Sequence, residues 1–158
     1  MPTMLRKLVL IAPLVLVIHV AEEAPQFVSW FNSLVARGIS QRLFLTVNAT
    51  ALLVTILLAL LVASAPSAPT GLCLSAWIGF LMLANGLFHI VGTLVYGRYC
   101  PGVITGTLLY LPYGLVLLRA LSRELNLRPV AVAFAALLGA VPMLVHGYLI
   151  VFRGQRLF

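Results

Sequence analysis

The chain has 158 residues, of which 63% are hydrophobic and only 8% are Asp, Glu, Lys or Arg. An ordinary soluble domain has about 25% charged residues. This composition excludes a soluble globular domain, a disordered chain and a disulfide scaffold, and it predicts a multi-pass integral membrane protein. The ten basic residues outnumber the three acidic ones, but they stand at the ends of apolar segments. They are therefore expected to meet anionic lipid headgroups, and nucleic acid is not an expected partner.

Five apolar stretches approach or exceed the roughly 20 residues that a membrane-spanning helix needs. Backbone polar groups in lipid must pair within their own segment, so each stretch is predicted to be a helix. The sequence thus predicts an all-α transmembrane bundle that forms a single domain over residues 1–158. The predicted helices cover about residues 5–24, 43–64, 72–97, 101–118 and 129–152.

The segment between the first two stretches differs from the other linkers. Its apolar residues, among them Phe27, Trp30 and Phe31, recur at helical spacing, and tryptophan is common at membrane interfaces. We predict an amphipathic helix over about residues 26–37 that lies in the headgroup layer.

The first stretch ends in a cluster of ionisable residues, His19-Val-Ala-Glu22-Glu23. Positions i, i+3 and i+4 share a helix face, so His19 lies on one side with both glutamates. An ionisable residue inside a membrane costs about 2.5–3.5 kcal/mol on insertion scales, so such a cluster indicates a functional site. A helix that ends at Val20, with both glutamates solvated among the headgroups, is the alternative.

Other polar residues of the predicted helices fall in the same layer of the membrane. With a helical rise of about 1.5 Å per residue and helices that alternate in direction, these residues lie at similar depths. The residues predicted to share this layer are His19, Glu22, Glu23, Asn48, Asn85, His89, Thr105, Thr107 and His146. Tyr96, Tyr99 and Tyr110 are expected to be interfacial or packing residues.

Imidazole and carboxylate groups together suit a divalent metal ion such as zinc, iron or manganese. Asn85 and His89 are also spaced i, i+4, so a second helix offers a paired polar face. The predicted metal ligands are His19, Glu23, His89 and His146, the last on depth alone. A glutamate beside a metal-bound water is the usual general base. The predicted catalytic residues are Glu22, Glu23, Asn48 and Asn85.

The motif His19-Val-Ala-Glu22-Glu23 resembles the signature of the HXXEE domain family of small multi-spanning membrane proteins. Two further blocks follow in order, Asn85-Gly-Leu-Phe-His89 and Tyr99-Cys-Pro101-Gly102. The similarity covers about residues 12–118. The resemblance implies that six residues form one site, and it implies no substrate. These residues are His19, Glu22, Glu23, Asn48, Asn85 and His89.

Three classes of function remain open. The first is a membrane-embedded metal-dependent enzyme that acts on a lipid or another apolar substrate. The second is a metal-free acid–base enzyme, such as a hydrolase, isomerase or cyclase, that uses glutamate and histidine. The third is a small transporter or membrane subunit without catalysis. A bacterial-type cytoplasmic membrane is the expected location, the lipid bilayer is the expected partner, and a homo-oligomer is compatible with the sequence.

Overall fold

The computed structural model describes residues 3–157, and this part of the chain is helical without any strand. Five of its helices are long and apolar enough to cross a membrane, and a sixth is short. The predicted all-α class and the number of helices are therefore confirmed. The helices are α1 (Thr3–Glu23), α2 (Phe27–Asn32), α3 (Gln41–Ser64), α4 (Ala68–Tyr96), α5 (Val103–Glu124) and α6 (Pro129–Arg153).

Two of the long helices extend four or more residues beyond a predicted bound. Helix α4 begins four residues early because Ser67 and Thr70 form a capping box at its N-terminus. Helix α5 continues to Glu124, since charged side chains near a membrane surface do not stop a helix. The Glu124 carboxylate accepts a hydrogen bond from the backbone N–H of Leu5 at 3.1 Å, which ties the end of α5 to the start of α1.

Helix α2 is shorter than predicted and packs into the protein. It ends at Asn32, whose side chain pairs with the N–H and the carbonyl of Ile39 at 2.6 and 2.9 Å and closes the following loop. Trp30 and Phe31 are buried together with Phe88 of α4 and Ile150 of α6. The apolar side of α2 is therefore covered by α4 and α6 rather than turned toward lipid.

Two stretches of π-helix interrupt the long helices, at Gly79–Ala84 in α4 and at Gly106–Tyr110 in α5. The first leads directly into Asn85, and the second follows directly after Thr105. Pro112 has no N–H to bond the carbonyl four residues earlier, which favours a wider turn before it. Single π-turns within α-helices are rare and are frequent at functional sites.

Helices α4 and α6 approach each other closely along two glycines. A Cβ on Gly79 would overlap the backbone carbonyl of Ala136, and a Cβ on Gly139 would overlap that of Ala76. Small residues at such crossings are the usual means of close packing between apolar helices. Helix α4 also contacts α3 and α5, while α1 contacts α3 and α5. The start of α5 therefore lies where α1 and α4 can both reach it.

We expect Gly79→Ala and Gly139→Ala to destabilise the protein. The added Cβ would overlap backbone atoms of the facing helix, which cannot move aside as a flexible side chain can. Overpacking costs about 1–3 kcal/mol, which for a chain of this size lowers Tm by roughly 2–10 °C. Thermal unfolding in detergent measures the effect. Gly106→Ala is the matched control, since the nearest atom to its Cβ would lie at an ordinary 3.4 Å. Equal Tm values for all three variants would contradict the described crossing.

Candidate metal centre

Three buried side chains meet between α1 and α4: His19, Glu23 and His89. Oε1 of Glu23 lies 3.1 Å from Nε2 of His89 and 3.6 Å from Nε2 of His19. One ligand atom from each residue lies within 4.8 Å of the other two. The residues are only 1%, 5% and 0% exposed, respectively. Two imidazoles and one carboxylate thus converge inside an apolar bundle and could hold a metal ion.

Two of the three separations between these atoms suit a tetrahedral metal site. Ligand atoms about 2.0–2.2 Å from a zinc ion lie roughly 3.3 Å from one another. The two separations from Oε1 of Glu23, 3.1 and 3.6 Å, fall on either side of that value. Although His89 Nε2 is close to Glu23, it makes no aligned hydrogen bond with any described residue. Close but unaligned atoms are expected of ligands that converge on a common point.

The hydrogen bonds of Thr105 determine which nitrogen of His19 carries the proton. The Thr105 hydroxyl lies 2.5 Å from Oε2 of Glu22 and 2.7 Å from Nδ1 of His19. An ionised carboxylate can only accept, so the Thr105 hydroxyl donates its hydrogen bond to Glu22. The hydroxyl oxygen then accepts a hydrogen bond from Nδ1–H of His19. Nε2 of His19 then carries the lone pair; it lies 3.1 Å from the Asn85 amide nitrogen, which can donate to it, and 3.6 Å from Oε1 of Glu23. This is the tautomer that a metal ligand needs.

Glu22 has a different function from its neighbour, because it binds the N-terminus of α5. Its Oε1 accepts hydrogen bonds from the backbone N–H groups of Gly102 and Ile104 at 3.1 and 3.0 Å. Its Oε2 accepts another from the N–H of Thr105 at 2.7 Å. Helix N-termini favour negative charge because their first N–H groups have no partner within the helix. Glu22 therefore joins α1 to α5, and Glu23 is left to face the histidines.

The segment before α5 is shaped around the same site. The Tyr99 hydroxyl donates to Oε1 of Glu22 at 2.7 Å. Partial burial, together with this hydrogen bond to a carboxylate, raises the pKa of Tyr99 to about 12. Gly102 has a φ of +99°, and a Cβ there would lie 2.6 Å from Cε1 of His89. Only glycine fits this position, since it combines left-handed backbone with contact against an imidazole.

Three further side chains contact the histidines. The amide nitrogen of Asn85 lies 3.1 Å from Nε2 of His19. Cys100 Sγ lies 3.3 Å from Nδ1 of His89, and burial raises the pKa of this thiol, which favours its protonated form. The ring of Tyr110 stacks on His19 with 3.9 Å between ring centroids. The Tyr110 hydroxyl is buried and has no hydrogen-bond partner among the described residues.

The structure does not bring Asn48 or His146 into the His19–Glu23–His89 group. The Asn48 amide donates to the carbonyl of Phe44 in its own helix at 3.0 Å. Nδ1 of His146 is buried and accepts the backbone N–H of Leu157 at 3.1 Å. Depth along a helix does not determine the direction in which a side chain points, so a shared layer does not by itself bring a residue to the group. Thr107 is exposed, and it is the second residue of the π-turn over Gly106–Tyr110.

Tyr99, Cys100 and Tyr110 also contact the residues of the site, which their sequence positions did not predict. Tyr99 and Cys100 belong to the Tyr99-Cys-Pro101-Gly102 block, and their place in this motif could have indicated that they lie at the site. Tyr110 had no such signal. Its contact with His19 depends on the π-turn over Gly106–Tyr110, which changes the direction of the side chains after Thr105.

The fold and the site define a helical protein with five membrane-length helices and a buried histidine–glutamate group. A family model described as "protein of unknown function with HXXEE motif" matches residues 10–117. The chain belongs to this HXXEE family, and the predicted resemblance is confirmed. No curated protein and no solved structure matches the chain.

We expect Glu22→Gln to lower the Tm more than Tyr99→Phe does. The first change weakens several hydrogen bonds to a charged group, each worth about 1.5–3 kcal/mol, whereas the second removes one bond at an exposed position. Thermal unfolding of both variants beside the native protein checks this order. A Glu22→Gln protein with the native Tm would show that the carboxylate does not anchor α5.

Proposed function

We propose that the protein is a membrane-embedded, metal-dependent enzyme that acts on a lipid or another apolar substrate. The observation that carries the proposal is the buried convergence of His19, Glu23 and His89, whose ligand atoms lie within 4.8 Å of one another. Burying ionisable groups without a partner is costly. A divalent cation would balance the glutamate and use both imidazoles, so it offsets that cost directly.

Zinc is the metal that this ligand set favours first. Two histidines and one glutamate are the ligands of many catalytic zinc sites, which keep a fourth position open for water or substrate. Iron and manganese accept the same two ligand types, so they remain candidates. A divalent ion here would supply Lewis acidity, either to polarise a substrate oxygen or to activate water.

The surrounding residues have separable roles in this proposal. Glu22 and Thr105 hold the His19 ring so that Nε2 faces the metal position, in the manner of the outer partners that orient metal-bound histidines. The Asn85 amide, 3.1 Å from that same nitrogen, is placed to orient a substrate or water. The buried Tyr110 hydroxyl, which has no partner among the described residues, is a further group available to a bound substrate.

An apolar substrate is favoured by the surroundings of the site. A groove of about 170 Å³ lies between α4 and α6 and is lined almost entirely by apolar side chains, including Ala84 and Phe88. These two residues precede Asn85 and His89 in the chain, and the Phe88 and His89 rings lie 5.2 Å apart. The outward faces of the long helices are also apolar, with Leu53 57% and Leu137 66% exposed. Such surfaces support placement in a bilayer, for which a bacterial-type cytoplasmic membrane stays the predicted location.

A metal-free acid–base enzyme is the second candidate, and one contact favours it. The Asn85 amide nitrogen at 3.1 Å from His19 Nε2 already gives that nitrogen a partner. Glu23 and His89, 3.1 Å apart, would then form a proton-transfer pair. In this alternative Glu23 abstracts or donates the proton and His89 holds its charge.

We expect the protein, purified in detergent without chelators, to bind one equivalent of zinc by elemental analysis. His19→Ala and His89→Ala should lose the bound metal, because each removes one of the three proposed protein ligands. Thr105→Val removes the hydroxyl that orients His19, so its zinc affinity should fall by about 10–100-fold.

His146→Gln is the matched control for the metal analysis, since His146 is a buried histidine outside the group. It should retain the native metal content. Circular dichroism and elution volume should show that each variant stays folded. If the native protein neither retains metal nor binds added zinc saturably, the metal site is wrong; if His146→Gln loses metal like His19→Ala, the assigned ligand set is wrong.

We expect the metal-loaded protein to convert a component of a membrane lipid extract, with products followed by mass spectrometry. Chelation should abolish this turnover and added zinc should restore it, while Glu23→Gln should be inactive under all conditions. Turnover that survives chelation but is lost in Glu23→Gln would instead support the metal-free enzyme. Turnover by Glu23→Gln at the native rate would contradict both.

A further inference from the structure

A second groove opens between the end of α5 and the start of α6, far from the candidate metal centre. Its volume is about 710 Å³, and its lining includes Leu115, Val116, Arg119, Arg123 and Val132. Arg119 lies 14 positions after Thr105 along α5, which at about 1.5 Å per residue is roughly 21 Å from the metal centre. The two sites are therefore near opposite ends of the bundle.

The mouth of this groove carries positive charge that the protein does not neutralise. Arg119 and Arg123 are spaced i, i+4 and so lie on one face of α5. Among the described residues neither arginine forms an ion pair, since the ion pairs there join Glu23 to histidines. Glu124, the acidic residue at this end, accepts its hydrogen bond from Leu5 instead. A negatively charged group could therefore enter between the arginines without displacing a carboxylate.

The turn between α5 and α6 holds the two walls of the groove in place. The Ser122 hydroxyl donates to the carbonyl of Leu127 at 2.9 Å. The N–H of Leu127 donates in turn to the carbonyl of Ser122 at 2.9 Å. Because both bonds close the same short turn, the position of Arg123 relative to α6 is set by the fold. A ligand that binds there does not need to order the turn.

We propose that this groove binds one anionic phospholipid. Its phosphate would lie between Arg119 and Arg123, and its acyl chains would follow Leu115 and Val116 toward the bilayer centre. These two apolar residues are 59% and 45% exposed, so a free phosphate would leave the inner half of the groove uncovered. The volume is in the range of ordinary ligand sites, and basic pockets between helices are typical lipid headgroup sites. The inference rests on the membrane placement in the proposed function, but not on the metal chemistry.

Native mass spectrometry of the detergent-purified protein tests this site with phosphatidylglycerol and phosphatidylcholine as probes. We expect saturable binding of one phosphatidylglycerol and at least tenfold weaker binding of phosphatidylcholine. Arg119→Gln/Arg123→Gln should weaken phosphatidylglycerol binding by roughly 30-fold, given the usual contribution of each basic residue to anionic lipid binding. Arg119→Lys/Arg123→Lys should keep most of the affinity and show that the fold tolerates changes at both positions.

Arg37→Gln/Arg42→Gln is the matched control, because it removes two exposed arginines outside this groove. It should bind phosphatidylglycerol like the native protein. Native affinity in Arg119→Gln/Arg123→Gln, equal affinity for phosphatidylcholine, or displacement of the lipid by millimolar inorganic phosphate would each overturn the proposal. The assay needs no metal, so a protein that fails to bind zinc still gives a clear result here.

Discussion

The bond between the Glu22 carboxylate and the N-terminus of α5 is the constraint on which the site depends. A helix start inside a bundle has N–H groups without partners, and Glu22 satisfies those of Ile104 and Thr105 as well as that of Gly102. The same carboxylate accepts a hydrogen bond from the Thr105 hydroxyl, whose oxygen is then left to accept from Nδ1–H of His19. One side chain thus sets a helix position and a histidine tautomer together.

The two consecutive glutamates of the motif bind different partners. Neighbouring positions on a helix point about 100° apart, so two adjacent acids can serve two different partners. Glu22 faces α5, while Glu23 faces His19 and His89. A single glutamate could not both anchor α5 and converge with the two imidazoles. The spacing from His19 to Glu23 is one helical turn, which places both on the side toward α4.

Glycine and π-turns supply the close approaches that a polar site inside an apolar bundle needs. Gly102 brings backbone against the His89 ring, where a Cβ would clash. The π-turn before Asn85 and the one after Thr105 alter the direction of the side chains on each helix. Both irregular turns flank the site rather than lying elsewhere in the bundle. Local departures from regular helix are therefore concentrated where the chemistry is proposed.

The sequence by itself determined the helical class, the approximate spans and the core of the site. Apolar runs predict the helices, because backbone polar groups in lipid can pair only within their own segment. The i, i+4 spacing places His19 on one helix face with Glu23, and Asn85 on one face with His89. Only the tertiary structure decided which faces meet. It separated Glu22 from Glu23, left His146 out of the possible metal ligands, paired the Asn48 amide within its own helix, and brought in Cys100 and Tyr110. The physical reason is that sequence spacing defines the height and the face of a residue within one helix. The rotation of each helix against its neighbours depends on side-chain packing and on the π-turns, which the sequence did not reveal.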